Sequence, residues 1–261
     1  MGQEMTGIRF GTHTFETELV IFDKDGTLID FRSTWLPVLE QRNTLILERI
    51  GPDYPVDRIR EELYRAHGIT NGNDGPGTID PYGPFAHSSL REDEVIVAGA
   101  LYRHGVPWQL AKRIAHETAQ DTEKVLDRPR SARIIPGVKE TLTDLRQSGV
   151  SLAVATADLT SIAVATLSHL GIERFFDIVI GSDMVKEDKP HPEMLLTLID
   201  RIGKNAERTA FVGDTVTDME MGKRANVGLV VGAVEGGITP REYIAEIADV
   251  VIDTVSDISV R

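Results

Sequence analysis

A doubly wound α/β core carrying an inserted, all-helical module is predicted by three features of the 261-residue sequence. Six short apolar runs, rich in Val and Ile, alternate with amphipathic segments of helical period. The alternation stops between residues 31 and about 130, where the periodic segments are all helical. Acidic, hydroxyl and lysine side chains follow the apolar runs at their carboxyl ends.

The runs are 19–22 (LVIF), 152–156 (LAVAT), 177–181 (DIVIG), 209–213 (TAFVG), 228–234 (GLVVGAV) and 249–253 (DVVID). A strand covered on both faces needs no polar alternation, so continuous runs of this length suit a parallel sheet. Between them, 137–148, 160–170 and 191–202 place apolar residues at helical spacing. Strand alternating with helix is the signature of a doubly wound sheet. The core is therefore expected over 1–30 and 131–261. The inserted module, read as a cap, spans 31–130 and contains "TWLPVLEQRNTLILERI", "DRIREELYRAHGI", "EDEVIVAGALYRHGV" and "WQLAKRIAHETAQDTEKVL". Within it, residues 70–89 form a Gly/Pro-rich stretch read as one long loop, a length that usually signals function or disorder.

Charge narrows the partners. With 28 basic and 41 acidic side chains the formal net charge is −13. Such a surface repels phosphate backbones and anionic membranes, so neither nucleic acid nor membrane is expected as a partner. A small anion would have to be held by a local positive device: a metal ion, a lysine or a helix N-terminus. The absence of cysteine excludes disulfides, thiolate catalysis and thiolate metal sites. No apolar stretch approaches the ~20 residues of a membrane span, and the first residues lack the features of a signal peptide, so the cytoplasm is the expected compartment. Met1, Gly2 and Thr6 fit the loose myristoylation pattern, but one acyl chain binds membranes only marginally and no basic patch supports it.

The polar clusters carry the chemistry. The first run is followed by Asp23, Lys24, Asp25, Gly26 and Thr27, the second ends in Thr156, Ala157 and Asp158, "VKEDKPHPE" carries Lys186 and Lys189, and "GDTVTD" carries Asp214 and Asp218. Taken singly, each has an ordinary reading: Asp and Gly form turns, Thr caps helices, and lysines are solvated. Open α/β sheets, however, bind ligands at the carboxyl ends of their strands, so the four clusters should converge.

Together the motifs D-x-D-G-T, a hydroxyl residue after the next core strand, K-P-x-P-E and G-D-x-x-x-D resemble the haloacid dehalogenase (HAD) superfamily, a Rossmann-like fold. More narrowly, the chain looks like phosphoglycolate-phosphatase-like hydrolases with a helical cap inserted after the first motif, and the resemblance extends over the whole chain. It implies hydrolysis of a small phosphorylated metabolite through an aspartyl phosphate. Asp23 would be the nucleophile and Asp25 the acid, then base. Mg²⁺ would be held by Asp23, the Asp25 backbone carbonyl, Asp214 and Asp218, the last directly or through water. Gly26, Thr27, Thr156 and Ala157 would bind phosphoryl oxygens, with Lys189 balancing the charge. Lys189 is preferred to Lys186 because only it begins K-P-x-P-E, and His191 inside that motif is read as packing or capping.

Asp25 argues against a dehalogenase, which needs no proton donor for a halide. A phosphonatase would need a cap lysine early in the insertion, where only Lys112 and Lys124 occur, both late. Phosphosugar mutases share all four motifs. A receiver domain, the non-enzyme alternative that would use phosphate as a switch, has a different motif order and about half this length. Residues 69–90 contain no Lys or Arg, which favours a neutral polar leaving group, although Arg32, His87 and Arg91, read as surface residues, lie nearby.

Overall fold

The computed structural model describes residues 7–72, 75–88, 90–125 and 131–261, so Met1, Gly2 and Thr6 lie outside the described residues. The chain divides into two compact units, Met1–Thr34 with Ala132–Arg261, and Trp35–Ser131.

In the first unit, β1 (Gly7–Phe10) and β2 (His13–Glu16) form an antiparallel pair, and β11 (Ile258–Val260) joins β1 on its other side. This small sheet was not anticipated: its strands are only three or four residues long, and β2 is mostly exposed, leaving little apolar pattern. Ile8 and Phe10 of β1 are fully buried and join the main core.

The six expected runs form one parallel sheet. It contains β3 (Leu19–Phe22), β6 (Ser151–Ala155), β7 (Ile178–Ile180), β8 (Thr209–Gly213), β9 (Leu229–Ala233) and β10 (Val250–Ile252), in the order β10-β9-β8-β3-β6-β7. Every residue of β3, β8 and β9 is buried, as expected of strands covered on both faces. Alternation along β3 sorts the two layers. Val20 and Phe22 pack with Val138, Leu142 and Leu145 of the helix Val138–Gln147, whereas Leu19 and Ile21 pack with Met194, Leu195 and Leu198 of the helix Glu193–Ile202.

This strand order reverses direction between β3 and β8: successive strands step outward from β3 to β7 on one side, and from β8 to β10 on the other. Phe22 pairs with both Val154 and Val212, so three strands end at one level at the reversal. Such a switch point opens a crevice that no crossover connection fills.

The second unit has its own core, built by Ile46, Ile59, Leu63, Val97, Leu101 and Ile114. Its helices run over Val56–Ala66, Leu90–Arg103 and Trp108–Val125, together with the greater part of Phe31–Ile50. The expected loop at 70–89 is instead partly ordered. There β4 (Ile69–Gly72) and β5 (Gly75–Ile79) make an antiparallel hairpin, followed by a short helix, Pro84–His87. Its Gly/Pro composition conceals the hairpin, which is anchored by the buried Ile69–Ile79 pair and by a hydrogen bond from the Thr78 backbone N–H to Thr70 Oγ1 at 3.1 Å. Residues 73, 74 and 89 of this stretch lie outside the described residues.

Candidate active site

The segment after β3 is a tight turn. Asp23 N–H donates to the Val212 carbonyl on β8, and the Lys24 carbonyl accepts from the N–H groups of both Leu28 and Ile29. The turn reading of D-x-D-G-T is therefore correct, but it does not exhaust the segment. The turn sits at the switch point, and Asp23 is driven into the crevice with 6% of its surface exposed.

Three carboxylates meet there: one oxygen each of Asp23, Asp214 and Asp218 lies within 4.8 Å of the others, all three residues being buried. Lys189 reaches in from the loop after β7, its Nζ lying 2.5 Å from Asp23 Oδ1 and 2.8 Å from Asp218 Oδ1. One ammonium among three ionised carboxylates leaves an excess of two negative charges in a largely buried site. Burial pushes Asp23 up to about 7; repulsion from Asp218 and Asp25 adds to this, and Lys189 opposes it. Asp214 is held well above the usual carboxylate range, first by burial and then by Asp23 and Asp218. Burial works against the charge on Lys189, but Asp218 and Asp23 outweigh it and keep its pKa above the ordinary lysine value. A buried, all-oxygen donor set with two surplus negative charges matches what a hard divalent cation requires, so this cluster could hold such a metal.

Gly26 is what lets Asp214 in. Its φ is +88°, and a Cβ there would lie 2.1 Å from Asp214 Oδ2. Thr27 Oγ1 donates to Asp214 Oδ1 at 3.3 Å. Thr156 is buried at the end of β6, its N–H donating to Ile180 O and its Oγ1 accepting from Asp158 N–H at 3.1 Å. Ala157 beside it is exposed. Asp218 serves two purposes. Its Oδ2 accepts from Thr215 N–H and Oγ1 in a capping box at the start of the helix Val216–Arg224, while its Oδ1 takes Lys189.

Of the two candidate lysines, Lys189 joins the cluster, whereas Lys186 is exposed. His191 is also exposed, and its Nδ1 accepts from Glu193 N–H at the start of a helix, so it caps. Three participants escaped the sequence reading. Glu193, the last residue of K-P-x-P-E, accepts the N–H groups of Lys186 and Glu187 on Oε2 and so ties down the lysine loop. Gly237, after β9, passes so close that a Cβ would lie 2.3 Å from Asp214 Oδ2. Strand alternation turns Lys24 aside from Asp23, yet its Nζ lies 2.6 Å from Asp25 Oδ2 and 3.4 Å from Asp158 Oδ2 in the buried interior. Burial works against that charge as well, but the two aspartates raise its pKa above the ordinary lysine value. Asp25 Oδ1 is buried and has no hydrogen-bond partner among the described residues.

Fold and site together define a doubly wound α/β protein with a buried carboxylate cluster at its switch point. The haloacid dehalogenase-like hydrolase model matches residues 17–226, and the chain belongs to that family. It is 41% identical over 125 residues to "Probable phosphatase IndB" of Dickeya dadantii, the match covering 48% of this chain and 54% of that one. The chain thus spans about half the length of this relative. A Caulobacter vibrioides "Phosphoglycolate phosphatase" is 28% identical over 246 residues, covering 94% of this chain and 91% of its own. In fold, the chain is similar to a haloacid dehalogenase-like family hydrolase from Streptococcus pneumoniae, with a TM-score of 0.62 at 18% identity over 92% of this chain and 95% of that one. Among the described residues no helix is long and apolar enough to cross a membrane.

Proposed function

We propose that this protein is a Mg²⁺-dependent phosphatase that hydrolyses a small-molecule phosphomonoester through a phosphate ester of Asp23. The observation that carries this reading is the buried Asp23 carboxylate, flanked by Asp214, Asp218 and Lys189, one residue removed from a second aspartate whose Oδ1 has no hydrogen-bond partner among the described residues. Relatives named phosphatase and phosphoglycolate phosphatase support it.

Asp23, Asp214 and the Asp25 backbone carbonyl would hold the ion, and Asp218, with both oxygens already engaged, would reach it through water. When bound, the ion neutralises the surplus charge and draws electron density from a phosphoryl oxygen. An Asp23 oxygen attacks phosphorus, the bond to the leaving oxygen breaks, and that oxygen takes the proton of Asp25. Water then attacks the same phosphorus while Asp25 takes back a proton, releasing inorganic phosphate and restoring the Asp23 carboxylate. Thr156 Oγ1 and the N–H groups of Thr27 and Ala157 bind phosphoryl oxygens, whereas the Gly26 N–H, expected to join them, is already given to the Ile29 carbonyl at 2.7 Å; Lys189 offsets the charge that accumulates on them.

The test is phosphate release from a panel of phosphomonoesters that includes phosphoglycolate and sugar phosphates, with Mg²⁺ and after chelation. Turnover should vanish on chelation and return with Mg²⁺. Full activity after exhaustive chelation refutes the metal assignment, and transfer between sugar positions without phosphate release shows a mutase instead.

A further inference from the structure

Lys24 is a buried cation that none of the steps above uses. Its side chain is 1% exposed, and both its carboxylate partners come from loops at the carboxyl end of the sheet. Removing an ammonium from water carries a large desolvation penalty, and an apolar side chain would fill the same volume without it. Core packing alone therefore gives no reason for a lysine here.

The geometry of Asp25 supplies one. A carboxylate that must give a proton to one oxygen and take one from another performs best in a single fixed orientation, with one of its own oxygens unengaged. Asp25 has that form: Oδ2 is held at 2.6 Å by Lys24, and Oδ1 has no partner among the described residues. Lys24 is itself immobilised, because its carbonyl accepts from Leu28 and Ile29 and its ammonium also reaches Asp158, whose N–H is bonded to Thr156 Oγ1. One ammonium thus links the turn after β3 to the loop after β6.

Building on the phosphatase reading above, we infer that Lys24 is a positioning residue for Asp25: it pins Oδ2 so that Oδ1 alone is presented to the leaving oxygen and to water. A space-filling role and a positioning role differ in what they do to leaving-group dependence. Phenol is a weaker acid than 4-nitrophenol, so phenyl phosphate depends more on a well-placed proton donor than 4-nitrophenyl phosphate does, while the two fill nearly the same space.

The experiment compares both substrates in the wild-type protein and in Lys24→Met, with Mg²⁺ present. In Lys24→Met, kcat/KM for phenyl phosphate should fall at least about 10-fold further than for 4-nitrophenyl phosphate, and rapid quenching with 4-nitrophenyl phosphate, whose first step is spared, should find more phosphate retained on Asp23. The ratio of the two rates within one preparation does not depend on how much of the protein is folded. If Lys24→Met yields no folded protein, Lys24→Gln takes its place, with the ratio shifted in the same direction. An unchanged ratio, with both substrates slowed alike, overturns the inference and leaves Lys24 as filling. Failure of the underlying phosphatase reading looks different: the wild-type protein itself would show neither turnover nor phosphate on Asp23, and the inference would fall with it.

Discussion

Asp23→Asn, studied without metal across pH, isolates the electrostatic strain of the carboxylate cluster. In the unfolded chain Asp23 releases its proton near the ordinary 3.8, whereas burial beside Asp218 and Asp25 moves that to about 7 in the folded protein. Between these values the unfolded state has lost a proton that the folded state still holds, so raising the pH favours unfolding. The contribution is fully present below 3.8 and is lost as pH rises through about 7. Over that whole interval it corresponds to about 4 kcal/mol, of which about 3 kcal/mol falls between pH 5 and pH 8. Asparagine keeps the shape and abolishes the titration. In the variant Asp214 loses the repulsion of Asp23 and is held up less, which adds to the difference in the same direction, and Lys189, held above the ordinary lysine value, stays charged throughout. Thermal unfolding in EDTA should therefore show wild type losing ground to Asp23→Asn by about 6 °C from pH 5 to pH 8. Saturating Mg²⁺ should restore the wild type at pH 8 and move the variant much less. A difference that stays constant with pH in EDTA, or that changes in favour of the wild type, refutes the argument from burial and repulsion.

Lys189→Met leaves Asp23 and Asp218 without their shared partner, and should cost about 3 to 5 kcal/mol in metal-free stability at neutral pH as well as most of the turnover. Lys186→Met, at an exposed position, should leave kcat/KM unchanged. Gly26→Ala drives a Cβ into Asp214 and forces alanine to a positive φ, so calorimetric titration should show weakened Mg²⁺ binding. Gly51→Ala, with φ +73° but nothing within 4 Å, should cost only about 1 to 2 kcal/mol of backbone strain and leave binding intact. Asp25→Asn keeps the backbone carbonyl but can neither give nor take a proton. With 4-nitrophenyl phosphate it should release a burst of at most one equivalent and then stall with phosphate on Asp23, and steady turnover at the wild-type rate would contradict the assigned role.

The six core strands were legible because a parallel strand buried on both faces must be apolar along its whole length, and β3, β8 and β9 are buried throughout. The carboxylates were legible for a related reason: Asp23 and Asp214 come directly after such strands and Asp218 one turn later, and strand order brings the strand ends together at the switch point. The hairpin at 69–79 was not legible, since a single buried Ile–Ile pair holds its base and the composition of the rest is that of a loop. Lys24 shows the boundary most sharply. Local alternation says only that its side chain leaves the face of Asp23, and whether it then meets water or a carboxylate depends on a loop far along the chain, the one bearing Asp158. The double engagement of Asp218 and the approach of Gly237 to Asp214 are of the same kind. Residue type and spacing along one segment decide which strands form and which groups reach their ends. The partner that each group finds there is decided by packing between segments, because a charge removed from water is held by whatever the fold brings within about 3 Å of it.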